Sequence, residues 1–244
     1  MKEIEALKGK KVAIVAMGAS WHDFCLSKTH SAHFDEVWVI NSVSGVIFHD
    51  RVFMMDPPAR FLDTEDASNQ TDIMTDVLKK HKGPIYTCEL DDRCPGLVEY
   101  PIEEVVKKGK TNYLNNTVAY AVAFAYLAEV GELNLYGADF SYKNNLHYAE
   151  AGRACVEYWL AKCIEQGMKV GVASTSPTLD ANVPSEEKLY GYHRLSDPLL
   201  VMTDDNGEYK TIKRSEYLKQ IKQPVYEPIM VGRHDPSPPE PNVW

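Results

Sequence analysis

The sequence lacks the patterns that identify several large classes of protein. It contains no run of the roughly 18 apolar residues that a membrane helix needs, and its first residues do not have the basic-then-apolar order of a signal peptide. Its 26 Lys and Arg residues are outnumbered by 35 Asp and Glu residues, which gives a net charge of −9. Because phosphate contacts need a basic surface, this charge argues against general binding to nucleic acids.

Cysteine is also scarce, and no two cysteines form a Cys-x-x-Cys pair. The five cysteines are Cys25, Cys88, Cys94, Cys155 and Cys163. An odd, scattered set is typical of thiols in a reducing compartment rather than of a disulfide framework or a structural zinc site. Together with the missing signal peptide, it predicts a cytoplasmic location.

Two phosphate-binding motifs are missing as well, the GxGxxG fingerprint of dinucleotide-binding folds and the GxxxxGK[ST] loop. A different turn follows the first predicted strand, which is the apolar run 10–16. It reads Gly18-Ala19-Ser20. Glycine permits a tight bend, and the serine hydroxyl and backbone N–H groups can hold anionic oxygens. We therefore expect this turn to contact a phosphorylated ligand.

Strand-like and helix-like segments alternate from residue 10 to residue 176. Strands are predicted at 10–16, 35–41, 51–56, 84–90, 132–136 and 169–173, and helices from 21 and 100 and at 71–80, 117–128 and 150–165. This alternation predicts an α/β protein with a Rossmann-like, mostly parallel sheet flanked by helices.

The alternation ends near residue 176, and three parts are expected. Residues 1–180 form the Rossmann-like nucleotide-binding domain. Residues 181–235 form a return segment or lid with a small α+β extension, in which a strand at 208–212 and a helix at 215–221 are predicted. Residues 236–244 are a proline-rich tail that cannot form regular structure.

Short polar residues follow several of the predicted strands. In open α/β sheets, ligands bind where the carboxyl ends of strands and the amino ends of helices converge. The turn Gly137-Ala138-Asp139-Phe140 after strand 132–136 combines a flexible backbone with a carboxylate. The residues predicted to bind the ligand are Gly18, Ala19, Ser20, Asn41, Asp56, Asn115, Asn116, Thr117, Gly137 and Ser174. We expect a larger side chain at Gly137 to occupy the ligand's space.

A cluster of reactive side chains follows the same turn. Asp139, Tyr142, His147 and Tyr148 lie within ten residues and form the predicted catalytic group. Histidine is the natural base at neutral pH, and a tyrosine hydroxyl can bind a departing phosphate without carrying a charge. His193, which lies beside two tyrosines, is the rival base.

Several of these segments resemble a known family. Asn115-Asn-Thr-Val-Ala-Tyr-Ala-Val-Ala, Leu-Asn-Leu-Tyr-Gly137-Ala-Asp139-Phe140 and His147-Tyr148 resemble the sialyltransferase-like glycosyltransferases of the bacterial family 42 type. They also look like the related group of archaeal hydroxymethylpterin pyrophosphokinases and motility-associated glycosyltransferases. The resemblance implies a nucleotide donor surrounded by the turns after strands one and two and by the Gly-x-Asp-Phe turn. It also implies a histidine base, tyrosines that help the phosphate to leave, and no metal.

The sequence and the resemblance together predict a metal-independent glycosyltransferase that uses a nucleotide-activated sugar, with no cofactor and an unknown acceptor. One alternative is a pyrophosphokinase-type transferase in which Asp56 and Asp139 hold Mg²⁺. Another is a nucleotide-binding protein without catalytic activity. The expected partners are the nucleotide-sugar, the acceptor and, in one possibility, a second copy of the chain.

Overall fold

The computed structural model describes residues 2–64, 67, 70–142, 145–184, 188, 199–203 and 209–220. The chain divides into two compact units, Met1–Val183 and Pro184–Trp244. None of the helices in the described part of the chain is long and apolar enough to cross a membrane.

The first unit contains a parallel sheet of seven strands, which confirms the predicted α/β fold class. The strands are β1 (Lys11–Val15), β2 (Glu36–Ile40), β3 (Arg51–Phe53), β4 (Ile85–Thr87), β5 (Leu97–Glu99), β6 (Glu132–Tyr136) and β7 (Lys169–Val172). Their order across the sheet is β5-β4-β3-β2-β1-β6-β7, and every neighbouring pair is parallel.

Helices cover both faces of this sheet. They are α1 (Lys2–Glu5), α2 (Trp21–Thr29), α3 (Ala59–Leu62), α4 (Gln70–Lys80), α5 (Ile102–Gly109), α6 (Thr117–Ala128) and α7 (Leu146–Glu165), with 3₁₀ turns at Asn41–Gly45 and Thr178–Asp180. One core packs α6 and α7 on the sheet around Trp38, Phe124 and Trp159. Helix α6 is buried on most of its surface because its alanines allow close packing between the sheet, α5 and α7.

The strand order places a topological switch point between β1 and β6. The chain builds outward from β1 to β5 on one side and then returns to add β6 and β7 on the other. At such a point, two successive connections leave the sheet in opposite directions and open a crevice at the carboxyl ends of the strands.

Several predicted boundaries agree with the structure and others differ. Helix α6 and strand β6 have the predicted bounds. Helix α7 begins at Leu146 rather than at residue 150, because the side chain of Asn145 caps it by accepting a hydrogen bond from the Tyr148 N–H at 3.2 Å. Strand β5 and helix α1 were not predicted.

The second unit contains an antiparallel pair, β8 (Leu199–Thr203) and β9 (Tyr209–Lys213), followed by α8 (Arg214–Gln220). Strand β9 and helix α8 lie within one residue of the predicted strand 208–212 and helix 215–221, whereas β8 was not predicted. The tail 236–244 lies outside the described residues, and so do most of residues 185–198 of the predicted return segment or lid, including His193.

Candidate functional site

A cavity of about 450 Å³ lies at the carboxyl ends of β1 and β6. Its walls come from four parts of the first unit: the turn after β1, the residue that follows β2, the start of α6, and the segment from Gly137 to Tyr142 together with Tyr148. The residues that line it are Ala16, Met17, Gly18, Ala19, Ile40, Asn41, Asn116, Thr117, Val118, Gly137, Ala138, Asp139, Phe140, Ser141, Tyr142 and Tyr148.

The turns after β1 and β6 are bonded to each other through their backbones. The N–H of Ala16 donates to the carbonyl of Tyr136 at 2.8 Å, and the N–H of Gly18 donates to the carbonyl of Gly137 at 2.7 Å. The parallel pairing of the two strands therefore continues into the turns and holds this side of the cavity in place.

Ser20 and Asp139 join the same two turns through their side chains. The carboxylate of Asp139 accepts hydrogen bonds from the N–H of Ser20 at 2.7 Å and from its hydroxyl at 2.5 Å, and this hydroxyl accepts from the N–H of Gly137 at 2.8 Å. Ser20 is 3% exposed and Asp139 7% exposed. Asp139 lines the cavity but Ser20 does not, so the serine acts inside the protein and not as the predicted ligand contact.

Glycine is required at both turns because they approach so closely. A Cβ atom at Gly18 would lie 2.6 Å from a carboxylate oxygen of Asp139, and one at Gly137 would lie 2.1 Å from the carbonyl oxygen of Ala16. Gly137 also has a φ of +69°, which side chains rarely adopt. The expectation that a side chain at Gly137 would fill the ligand's space is therefore wrong, since it would collide with β1.

The start of α6 provides backbone N–H groups that have no acceptor among the residues that the structure describes. The side chain of Asn116 caps the helix by accepting from the N–H of Ala119 at 3.0 Å. The N–H groups of Thr117 and Val118 belong to the first turn, where an α-helix offers no acceptor, and both residues line the cavity. The helix dipole adds partial positive charge at this end. Asn115 lies just behind: it is not a lining residue, and its side chain donates to the carbonyl of Ala151 at 3.0 Å.

Asn41 lies opposite, directly after β2. Its backbone has a φ of +49°, a conformation that asparagine tolerates better than most residues. Its side-chain oxygen is buried, and no described residue donates a hydrogen bond to it. A buried polar atom without a partner is uncommon in proteins and is one mark of a ligand-binding position.

Tyr142 and Tyr148 border the cavity on the solvent side. Their rings meet edge to face with centroids 5.3 Å apart, and the side chains are about half exposed. Burial, and then the neighbouring Tyr148, raise the pKa of Tyr142 above its ordinary value. Its hydroxyl therefore stays protonated at neutral pH and can donate a hydrogen bond.

Besides Ser20 and Asn115, three further predicted site residues do not line the cavity. His147 is exposed in the first turn of α7. Asp56 forms an ion pair with Arg60, one helical turn further along the chain. The exposed Ser174 donates to the carboxylate of Asp23 at 3.3 Å, beside a separate shallow depression.

The arrangement offers neutral hydrogen-bond donors to a ligand and few carboxylates. Asp139 is the only lining residue with a carboxylate, and no group of three or more His, Cys, Asp or Glu side chains that could hold a metal ion is found in the described part of the chain. The pair proposed for Mg²⁺ in the alternative reading is not brought together at the cavity, because Asp56 does not line it.

Sequence reasoning missed some of the residues that shape the site. The carbonyl of Ala138 accepts hydrogen bonds from the hydroxyls of Thr178 at 2.6 Å and Ser176 at 3.3 Å, both of them buried. Phe140 has a φ of +50°, and its ring packs directly on Gly152 of α7. The run of hydroxyl-bearing residues that follows β7 in the sequence could have indicated the contacts with Ala138.

Comparison with known proteins finds a similar solved structure. No family model matches the sequence, and no curated protein matches it. The structure is that of the sialyltransferase CstII from Campylobacter jejuni in complex with a substrate analogue, CMP-3FNeuAc; it is 16% identical, and the match covers 86% of this chain and 98% of that chain with a TM-score of 0.46. At this TM-score the similarity carries no argument, so the sheet topology alone defines the fold.

Proposed function

We propose that this protein is a glycosyltransferase that binds a nucleotide-activated sugar in the cavity at the carboxyl ends of β1 and β6. The cavity itself is the observation that carries the proposal. It lies at the topological switch point. Two tyrosine hydroxyls converge on it, together with backbone N–H groups and an amide oxygen that have no hydrogen-bond partner within the described part of the chain.

In this proposal the phosphates of the sugar donor lie at the start of α6. The N–H groups of Thr117 and Val118 and the helix dipole favour an anion there. The amide oxygen of Asn41 accepts a hydrogen bond from the nucleoside. The hydroxyls of Tyr142 and Tyr148 donate to the leaving phosphate, whose negative charge grows as the glycosidic bond breaks.

The base that deprotonates the acceptor hydroxyl is proposed to be His147, which precedes Tyr148 in the first turn of α7. An acceptor that arrives from the solvent side would meet both residues. His147→Ala is expected to lower kcat by roughly 10²–10⁴-fold while the affinity for the sugar donor changes little, because a base acts in the transition state. His193→Ala tests the rival assignment, and loss of activity in that variant alone would transfer the role.

The experiment that tests the proposal is a thermal-shift series with cytidine and uridine nucleotides and their sugar derivatives, with and without EDTA. Stabilisation that persists in EDTA is expected, because the proposed contacts are neutral donors. A ligand at 100 times its Kd adds about 2.7 kcal/mol to the free energy of unfolding. A shift that requires Mg²⁺ would favour the pyrophosphokinase-type transferase instead, and no shift with any nucleotide would refute the proposal.

A second candidate is a nucleotide-binding protein that catalyses no reaction. One observation favours it: within the described part of the chain, no histidine lines the cavity, and the carboxylate of Asp139 is already hydrogen-bonded. Release of free nucleotide from a bound nucleotide-sugar separates the two candidates, since only the transferase produces it.

A further inference from the structure

Two histidines form a close pair away from the cavity. His49 lies in the connection 41–50 between β2 and β3, and His81 directly follows α4. Their Nε2 atoms are 3.0 Å apart, and the ring planes are within 14° of parallel with centroids 5.0 Å apart. Both rings are partly buried. The two imidazoles therefore meet nearly in line, nitrogen to nitrogen.

The backbone partners of the pair determine where its protons lie. The Nδ1 atom of His49 is 2.6 Å from the carbonyl oxygen of Ile47, which can only accept, so this nitrogen carries a proton. The Nδ1 atom of His81 accepts from the N–H of Gly83 at 2.9 Å, so it carries none. In the neutral pair, the remaining proton of His81 is on Nε2 and is donated to the lone pair on Nε2 of His49.

This chain of three hydrogen bonds has no place for a further proton. A proton added to Nε2 of His49 would face the N–H of His81, and a proton added to Nδ1 of His81 would face the N–H of Gly83. Protonation of either ring therefore breaks at least one of the three bonds, whereas the neutral pair satisfies all of them.

The charged groups around the pair do not favour its protonation. On the elements that carry or adjoin it, these groups are Glu36, Asp50, Arg51, Asp72, Asp76, Lys79, Lys80 and Lys82. Glu36 is paired with Arg51, and the carboxylate of Asp50 accepts from the N–H of Val37 at 2.7 Å. Burial, and then the charge of a protonated His49, lower the pKa of His81 below its ordinary value, and none of the eight groups contributes to this shift.

We propose that His49 and His81 form a proton-operated clasp, which ties the last part of the connection, residues 46–49, to the residue that follows α4 when both rings are neutral and releases it when either is protonated. The direction of the pH dependence follows from the linkage between proton binding and folding. Because the pKa of His81 is lower in the folded than in the unfolded protein, its contribution to the free energy of unfolding is complete above about pH 6.5 and is lost as the pH falls through the lowered pKa. The clasp does not depend on the proposed glycosyltransferase activity.

The first test is an NMR titration of the unmodified full-length chain. Long-range ¹H–¹⁵N spectra at pH 8 are expected to show the Nδ1–H tautomer for His49 and the Nε2–H tautomer for His81. On acidification, the protection of the amides of Gly83 and residues 46–49, measured relative to their intrinsic exchange rates at each pH, is expected to fall as His81 becomes protonated. An Nδ1–H tautomer on His81, or amide exchange that ignores its titration, would overturn the clasp.

The second test removes the proton site. His81→Gln is expected to lose less of its free energy of unfolding between pH 7 and pH 5 than the unmodified protein, as measured by urea denaturation. His33→Gln is the matched control, because the side chain of His33 is 84% exposed and forms only an exposed ion pair with Asp35; it is expected to lose at least as much of its free energy of unfolding as the unmodified protein. Equal losses in all three proteins would refute the proposal, and if His81→Gln fails to fold, the titration decides.

A metal ion offers a further discriminating outcome. Coordination of Zn²⁺ by both Nε2 atoms would require a proton on Nδ1 of His81, where the N–H of Gly83 donates. Zn²⁺ added at pH 7.5 is therefore expected to leave both ring signals unchanged. A stoichiometric shift of both rings would replace the clasp with a metal site.

Discussion

Asn41 and Asp56 look alike in the sequence, yet the structure gives them different roles. Each is a short polar residue that follows one of two neighbouring parallel strands. Asn41 follows β2, which pairs with β1, and it lines the cavity with a side-chain oxygen that has no partner among the described residues. Asp56 follows β3, one strand further from the switch point, and it pairs with Arg60. Whether a polar residue at the end of a strand reaches the cavity therefore depends more on its distance from the switch point between β1 and β6 than on its residue type.

The largest effect is expected from two glycines with a positive φ, Gly137 beside the carboxyl end of β1 and Gly9 before its amino end. Gly137→Ala is expected to lower the free energy of unfolding by about 4 kcal/mol, because it adds a collision with Ala16 to the backbone strain. Gly9 has a φ of +75° but no atom within 4 Å of a Cβ atom, so Gly9→Ala is expected to cost about 1 kcal/mol. Urea denaturation measures both, and equal losses would show that close approach does not matter at Gly137.

The carboxylates give the next largest contrast. Asp139→Ala leaves the N–H and hydroxyl of Ser20 without their acceptor and is expected to cost about 2 kcal/mol. Asp56→Ala removes a partly exposed ion pair and is expected to change the free energy of unfolding by less than about 0.5 kcal/mol. Urea denaturation measures both variants. A larger loss of stability in Asp56→Ala than in Asp139→Ala would show that Asp56, and not Asp139, is the structural carboxylate.

Asn41→Gly sharpens the comparison on the binding side, since glycine keeps the positive φ and removes only the amide. It is expected to weaken nucleotide binding by about fivefold, the equivalent of one neutral hydrogen bond, with little change in stability. Calorimetric titration of the nucleotide that gives the largest thermal shift measures the effect. Asp56→Ala is the control and should bind normally; unchanged binding in Asn41→Gly would remove Asn41 from the site.

The smallest effect is expected at the tyrosines. Tyr148→Phe leaves Tyr142 as a second hydrogen-bond donor, so release of nucleotide from the sugar donor should slow by only about threefold. Tyr158→Phe is the matched control on the same helix, because Tyr158 packs against Tyr113 and Trp159 instead of lining the cavity. A turnover assay at saturating sugar donor compares the two variants, and equal rates would exclude the hydroxyl of Tyr148 from catalysis.

The sequence predicted the parts of the fold in which local pattern and burial agree. Helix α6 is apolar along almost its whole length, strand β6 alternates buried leucines with partly buried residues, and both have clear ends, so both bounds were correct. Strand β5 was missed because its residues are partly exposed at the edge of the sheet and carry no continuous apolar run. The start of α7 was misplaced because it depends on the cap at Asn145, which the run of polar residues before it concealed.

The candidate site was predicted in outline but not in its contacts. Nine of the fourteen predicted site residues line the cavity: Gly18, Ala19, Asn41, Asn116, Thr117, Gly137, Asp139, Tyr142 and Tyr148. Reasoning from strand ends and from the start of α6 could find seven of them, because topology brings these ends together, and Tyr142 and Tyr148 were found as neighbours of the turn after β6. It could not show that Ser20 and Asp139 bind each other, since a contact between residues 119 positions apart leaves no local signal.

Strand β1 is paired on both of its edges, and this has a consequence for the synthesis of the protein. One edge of β1 pairs with β2, soon after it in the chain, but the other pairs with β6, where Lys11 lies opposite Glu132. A nascent chain that has not yet reached residue 132 therefore carries an unpaired, apolar strand edge, and such edges promote aggregation. Chains that end after β2 but before residue 132 should therefore be insoluble fragments rather than a smaller folded domain.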